Sequence, residues 1–212
     1  MQDDQRLRTD EDLIKQMLAG DEAAFTMLYR RHQGPVFRFA LHMSGSASVA
    51  EDTVQDAFMI FMREARTYDA EKGRVGAFLY GIARNCVLRR LAKDKFFVAI
   101  EESAAGVLED QGLASGREVV IADDPLSCAT RNEAIASVRL AVLALPARYR
   151  EVVVLCDLQE MSYVDAAAAL GCAIGTVRSR LHRARKLLWE KLRSTYEVDK
   201  DRCRVDAARC LI

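Results

Sequence analysis

Residues 175–188 read GTVRSRLHRARKLL, with arginines at 178, 180, 183 and 185, His182, Lys186 and the hydroxyls of Thr176 and Ser179. The chemistry such residues support is recognition, not bond-making. An arginine fork donates twice to O6 and N7 of guanine, and lone cations bind phosphates without regard to sequence. Wound at 100° per residue, Ile174, Val177, Leu181, Ala184 and Leu188 fall within an arc of roughly 80°, the stripe of a helix packed on a core. Ser179, His182 and Arg183 face away from that stripe. Arg178 lies at its edge and must reach back from near the helix start. Arg185 is also at the edge and is expected to be structural. Thr176, Arg180 and Lys186 suit phosphate contacts or packing. The outward face has little apolar area to insert into lipid. A plain solvated surface with snorkelling arginines is the simpler reading of the strip taken alone.

Its neighbours decide between these. SYVDAAAALG, residues 162–171, has Ser162 as an N-cap and Gly171 as a helix stop. A short helix, a tight Gly171-Cys172-Ala173 connection and a basic second helix make a helix-turn-helix, whose second helix enters the major groove. The alanines at 166–169 allow close approach between the two helices, or simply favour helix.

The rest of the chain reads as helix. Leu13, Met17, Leu18, Ala24, Phe25, Leu28 and Tyr29 keep helical spacing with a break at Gly20-Asp21. Pro35 is expected to open a new helix over VFRFALHM, which ends at the turn signal SGSAS. ASVAEDTVQDAFMIFMREARTY and VGAFLYGIARNCVLRRLAK read as two further helices around the loop DAEKGR. From Asn132 the helical pattern resumes and stops at Pro146; YREVVVLCDL follows as helix.

The formal net charge of zero hides an uneven layout. Residues 1–95 carry 15 Lys/Arg against 14 Asp/Glu, residues 96–134 carry 2 against 8, and residues 135–195 carry 10 against 5. The expected fold is therefore all-α: two small helical domains, 1–97 and 134–195, joined by a flexible acidic linker, 98–133, with a tail at 196–212. The six cysteines include no C-x-x-C pair, and the three histidines form no metal-ligand spacing with them. No metal or cofactor is expected. Cys203 and Cys210 sit in the tail without an assigned role. No nucleophile–base pair or carboxylate dyad stands out, so the chain is not expected to be an enzyme. A polar N-terminus and the lack of a long apolar run point to a soluble, cytoplasmic protein.

LPARYREVVVLCDLQEMSYVDAAAALGCAIGTVRSRLHRARKLL closely resembles the fourth conserved region of bacterial sigma factors. GDEAAFTMLYRRH, AEDTVQDAF and AFLYGIARNCVLRRL resemble the second. Two such regions joined by a variable linker are the layout of the extracytoplasmic-function group. The resemblance implies a factor that binds core RNA polymerase, melts the −10 promoter element and reads the −35 element. It also implies an anti-sigma partner. On AEDTVQDAF, Asp52, Gln55 and Asp56 share one polar face by spacing, and the resemblance makes that face the polymerase dock. Tyr68, Phe78 and Asn85 would line the −10 pocket, with Arg84, Arg89 and Arg90 beside them for phosphates. Tyr68 has a plainer reading as a packing aromatic, and Asn85 as a helix cap. Arg178, Ser179, His182 and Arg183 would meet −35 base edges, with Thr176 nearby. The chain departs from the family pattern at Phe78, where Trp is usual, at Arg89, where an acid is common, and at Ala166, where a larger aliphatic is common. A stand-alone regulator of the response-regulator type shares the helix-turn-helix. It would require an alternating α/β receiver, which the helical first 95 residues do not suggest.

Overall fold

The computed structural model describes the backbone of residues 8–101 and 125–209, and side chains within 8–93 and 134–193. Among the described residues there is no strand. Four helices build the first half: α1 (Asp10–Leu18), α2 (Glu22–Ser44), α3 (Ala47–Glu64) and α4 (Val75–Glu101). Four build the second: α5 (Pro125–Leu143), α6 (Ala147–Val153), α7 (Tyr163–Leu170) and α8 (Ile174–Arg209).

Short polar residues set the starts. Thr9, Asp21 and Ser46 accept backbone N–H groups at the heads of α1, α2 and α3, satisfying donors that a helix start leaves unpaired. Gly45 ends α2 with φ +77°, a conformation open to glycine at little cost. Pro35 does not open a helix. It lies inside α2, where a proline removes one backbone bond and costs about 3 kcal/mol or more. Burial on both sides holds the helix together: Leu28, Val36, Phe39 and Met43 are all within the core. The second half starts earlier than its periodicity suggests, with Pro125 as the first residue of α5, a position that needs no N–H. Of the acidic linker, residues 102–124 lie outside the described residues, as do the side chains of Cys203 and Cys210. After α6 the chain makes a π-helical turn over Val154–Leu158.

Phe39, Phe61, Leu13, Leu28, Met43 and Leu79 are fully buried in the first half, and Leu145, Val152 and Leu155 in the second. An aromatic chain runs from Phe25 through Tyr29, Phe58 and Phe61 to Phe78 and Tyr68 by tilted and edge contacts of 4.8–6.3 Å.

The two halves close on each other. α4 packs on α7, and α2 on α5, α6 and the π turn. Ala168 and Ala169 of α7 are turned to this interface. A Cβ added at Gly81 would sit 3.2 Å from the Ala169 carbonyl oxygen, and one at Gly73 would sit 3.1 Å from the Ala168 Cβ. Small residues on both sides let the backbones approach. The Tyr80 hydroxyl donates to Gln159 Oε1 at 3.1 Å. Arg150 of α6 donates to the Met43 carbonyl at the end of α2.

His42 lies near this boundary. Burial holds its pKa below the usual histidine value of 6.5, and the cations Arg139 of α5 and Arg38 of α2 push the same way. Below pH 6.5 the unfolded chain therefore binds a proton that the folded chain resists. The stability present above that pH should fall as acid carries it from 6.5 toward the lowered folded value. Urea midpoints measured from pH 7.5 to pH 5 are expected to drop more in the wild type than in His42→Gln. Equal slopes would remove His42 from the account.

Candidate nucleic-acid interface

Ser162 caps α7 through its hydroxyl, which accepts from the Asp165 amide at 3.1 Å. Gly171 ends the helix at φ +61°, and α8 begins after Ala173. Val177, Leu181 and Ala184 are buried at 0–2% exposure, so the stripe read from the sequence is the packed side of α8. Its two ends differ from expectation. Ile174 remains 37% exposed and Leu188 is only half-buried, while α5, α6 and α7 all pack on α8. Arg178, Ser179, His182 and Arg183 are exposed, and Thr176 is half-buried. Ser179 donates to the Thr176 carbonyl at 3.1 Å, tying these two hydroxyl residues into the first turns. Arg185 forks onto Asp157 of the π turn at 2.6 and 3.1 Å. The hydrogen bond and charge of Asp157 raise its pKa. This arginine clamps α8 to the turn, which its place at the stripe edge allows.

A second group surrounds the loop after α3. Tyr68 donates its hydroxyl to the Gly73 carbonyl at 3.1 Å and so closes the loop that Asp69 and Lys72 bridge at the surface. Its ring meets Phe78 at 5.7 Å, and Phe78 meets Phe61 at 6.2 Å. Tyr68 and Phe78 are half-buried packing aromatics with remaining exposed area. Burial raises the Tyr68 pKa, helped by the nearby charges of Glu11, Asp10 and Asp69. α1 braces this corner. Asp10 accepts from Arg31 at 2.8 Å and pairs with His32 Nε2 at 2.7 Å. The His32 hydrogen bond leads in holding the Asp10 carboxyl below its ordinary range.

The α4 cations split between faces. Asn85 is exposed and accepts from Arg84 at 3.4 Å. Arg84 faces the second half, its Nε 3.0 Å from Glu151 Oε2. Glu151 is only 2% exposed. The N–H is not aimed at the carboxylate, so neither atom has a hydrogen-bond partner. Charge alone joins them, and either one alone would be costly to bury. Arg90 lies on another side of α4, bonded to Asp52 at 2.9 Å and Asp56 at 2.6 Å. Arg89 is exposed, with a weak contact to the Cys86 sulfur at 3.7 Å. Gln55 is exposed beside the two aspartates. The structure thus brings Arg89 and Arg90 to the face of Asp52 and Asp56, away from Arg84.

Sequence reasoning missed Arg150 and Glu151. They sit in YREVVVLCDL, where only their burial distinguishes them from surface charges. Among the described residues, no group of three or more His, Cys, Asp or Glu side chains could hold a metal ion. No helix there is long and apolar enough to cross a membrane.

Residues 28–97 match Sigma-70 region 2, and residues 135–188 match Sigma-70, region 4. The chain is 30% identical over 186 residues to the ECF RNA polymerase sigma factor SigW of Bacillus subtilis (strain 168), covering 85% of this chain and 95% of that one. It is 34% identical over 183 residues to the ECF RNA polymerase sigma factor SigM of Mycobacterium tuberculosis (strain H37Rv), covering 85% and 83%. Among solved structures it resembles CnrH in complex with the cytosolic domain of CnrY, with TM-score 0.63, 26% identity and coverage of 88% and 99%. It also resembles the sigma factor RpoE of Bartonella quintana in complex with the anti-sigma factor NepR, with TM-score 0.57, 29% identity and coverage of 75% and 91%. A region 2 match across the first half leaves no room there for a receiver domain. With a helical region 2, a helix-turn-helix region 4 and near full-length likeness to these relatives, the chain belongs to the extracytoplasmic-function group of RNA polymerase sigma factors.

Proposed function

We propose that this sigma factor divides promoter recognition between its halves as follows. Asp52, Gln55 and Asp56 dock on core RNA polymerase. Tyr68, Phe78 and Asn85 receive an unpaired −10 base, and Arg84 supplies positive charge near that path; Arg89 and Arg90 are turned to the face of Asp52 and Asp56 instead. Arg178, Ser179, His182 and Arg183 read the −35 element from the major groove, with Thr176 beside them on the phosphates. The chemistry of RNA synthesis belongs to the polymerase. The observation that carries the reading is the exposed, basic outer face of α8 above a fully buried Val177, Leu181 and Ala184.

The closed packing adds a step. Tyr80, Gly81 and Arg84 are turned to the second half, so Arg84 reaches DNA only after the halves separate. An anti-sigma protein is the expected partner of the closed form, supported by the likeness to the sigma factor RpoE in complex with the anti-sigma factor NepR and to CnrH in complex with CnrY. The regulator alternative has no observation in its favour.

In vitro transcription with purified core polymerase and a promoter library tests the whole. Initiation from a defined promoter class that requires this protein is the expected result; DNA binding without initiation would refute it. Within that assay, Arg183→Ala should relax selection at one upstream position by about 1–3 kcal/mol if its contact is bidentate. A uniform loss over all upstream sequences would make Arg183 a phosphate contact.

A further inference from the structure

We propose that Arg90 is a positioning residue for polymerase docking: its guanidinium presets the Asp52 and Asp56 carboxylates in one geometry before the polymerase arrives. The inference rests on the reading of Asp52, Gln55 and Asp56 as the docking face.

Asp52 and Asp56 stand one turn apart on α3, where like charges repel and two short side chains sample several rotamers. Arg90 comes across from α4 and gives one terminal nitrogen to Oδ2 of each, at 2.9 and 2.6 Å. The fork suits this task because its donors are rigidly spaced. Each carboxylate remains about half exposed, at 54% and 43%, with Oδ1 left for a partner. The Arg90 Nε is buried without a hydrogen-bond partner. The guanidinium therefore takes its orientation from the carboxylates, at the expense of its third donor.

The pair lies on a groove of about 600 Å³ between α3 and α4, with Arg63, Arg89 and Lys93 on the same rim. An arginine placed only to neutralise acids would weaken attraction for a cationic partner. An arginine that orders them removes rotamer entropy that docking would otherwise lose, and this strengthens binding. The two roles predict opposite signs.

The test is the affinity of full-length protein for core polymerase, read by competition. Arg90→Ala is expected to weaken binding about tenfold, the scale of freezing one or two side chains. Arg90→Lys, with charge but no fork, should recover part of the loss. In an Asp52→Asn, Asp56→Asn background, Arg90→Ala should change nothing further, whereas a general packing defect would weaken binding there too. Arg90→Gln keeps a polar side chain without the charge or the fork and serves if the alanine variant misfolds. Unchanged or tighter binding by Arg90→Ala or Arg90→Gln, with the aspartate variant still weakened, overturns the inference and leaves the docking face standing. Wild-type affinity in the aspartate variant overturns the docking face and this inference together.

Discussion

Replacing Arg150 with methionine should cost about 2–4 kcal/mol of stability, because its hydrogen bonds are made by a charged donor at two helix ends. Arg150 donates to the Leu143 carbonyl at the end of α5 and, at 3.1 Å, to the Leu145 carbonyl just beyond it. A third bond goes to the Met43 carbonyl at the end of α2. The last carbonyls of a helix have no partner within it, and the helix dipole makes them favourable sites for a cation. Burial lowers the Arg150 pKa, which is the desolvation cost these carbonyls offset. Methionine fills similar space but donates nothing, so the carbonyls lose their partner at the α2–α5 junction. Lysine keeps the charge and should recover part of the loss; its ammonium cannot span three carbonyls as the planar fork does. Urea unfolding of the three proteins measures this. A loss below about 1 kcal/mol for methionine would mean that water replaces the guanidinium freely.

The local parts of this arrangement could be read from the chain. Ser46, Asp21, Ser162 and Gly171 mark helix ends by chemistry that acts over three or four residues. The α8 stripe follows from spacing alone, and the structural role of Arg185 followed from its angle. What could not be read depends on partners far along the chain. Glu151 resembles any helix-surface acid until Arg84 arrives from α4. The alanine run of α7 suggested close packing within the helix-turn-helix, and Ala166 is indeed buried. Ala168 and Ala169, however, meet Gly73 and Gly81 of the other half. Small residues permit approach without saying from which side. Arg89 and Arg90 pose the same difficulty: motif position puts them with Arg84, and helical rotation turns them toward α3. Pro35 fails as a start signal for another reason. Burial of Val36 and Phe39 outweighs one missing hydrogen bond.

Gly81→Ile should drive the two halves apart while leaving each folded. Glycine inside a helix costs about 0.5–1 kcal/mol relative to alanine, and α4 accepts that cost at the point where α7 comes closest. The added Cβ alone would lie 3.2 Å from the Ala169 carbonyl oxygen and 3.9 Å from its Cα. This neighbour is backbone, which cannot rotate away, and isoleucine adds three more carbons behind that contact. Overpacking of this kind costs about 1–3 kcal/mol. The cost falls on the contact between α4 and α7, where position 81 meets the Ala169 backbone of the other half. A penalty of about 1.4 kcal/mol is a tenfold shift toward separation. Small-angle scattering should show a larger radius of gyration at unchanged helicity, and Gly81→Ala should lie between the two, since its helix gain opposes a smaller clash. The consequence for promoter recognition follows from geometry: separation frees Arg84 from Glu151 and leaves the exposed face of α8 as it was. An unchanged radius in a folded Gly81→Ile protein would mean that α7 yields in place, and that the glycine serves the path of the DNA and not the closed packing.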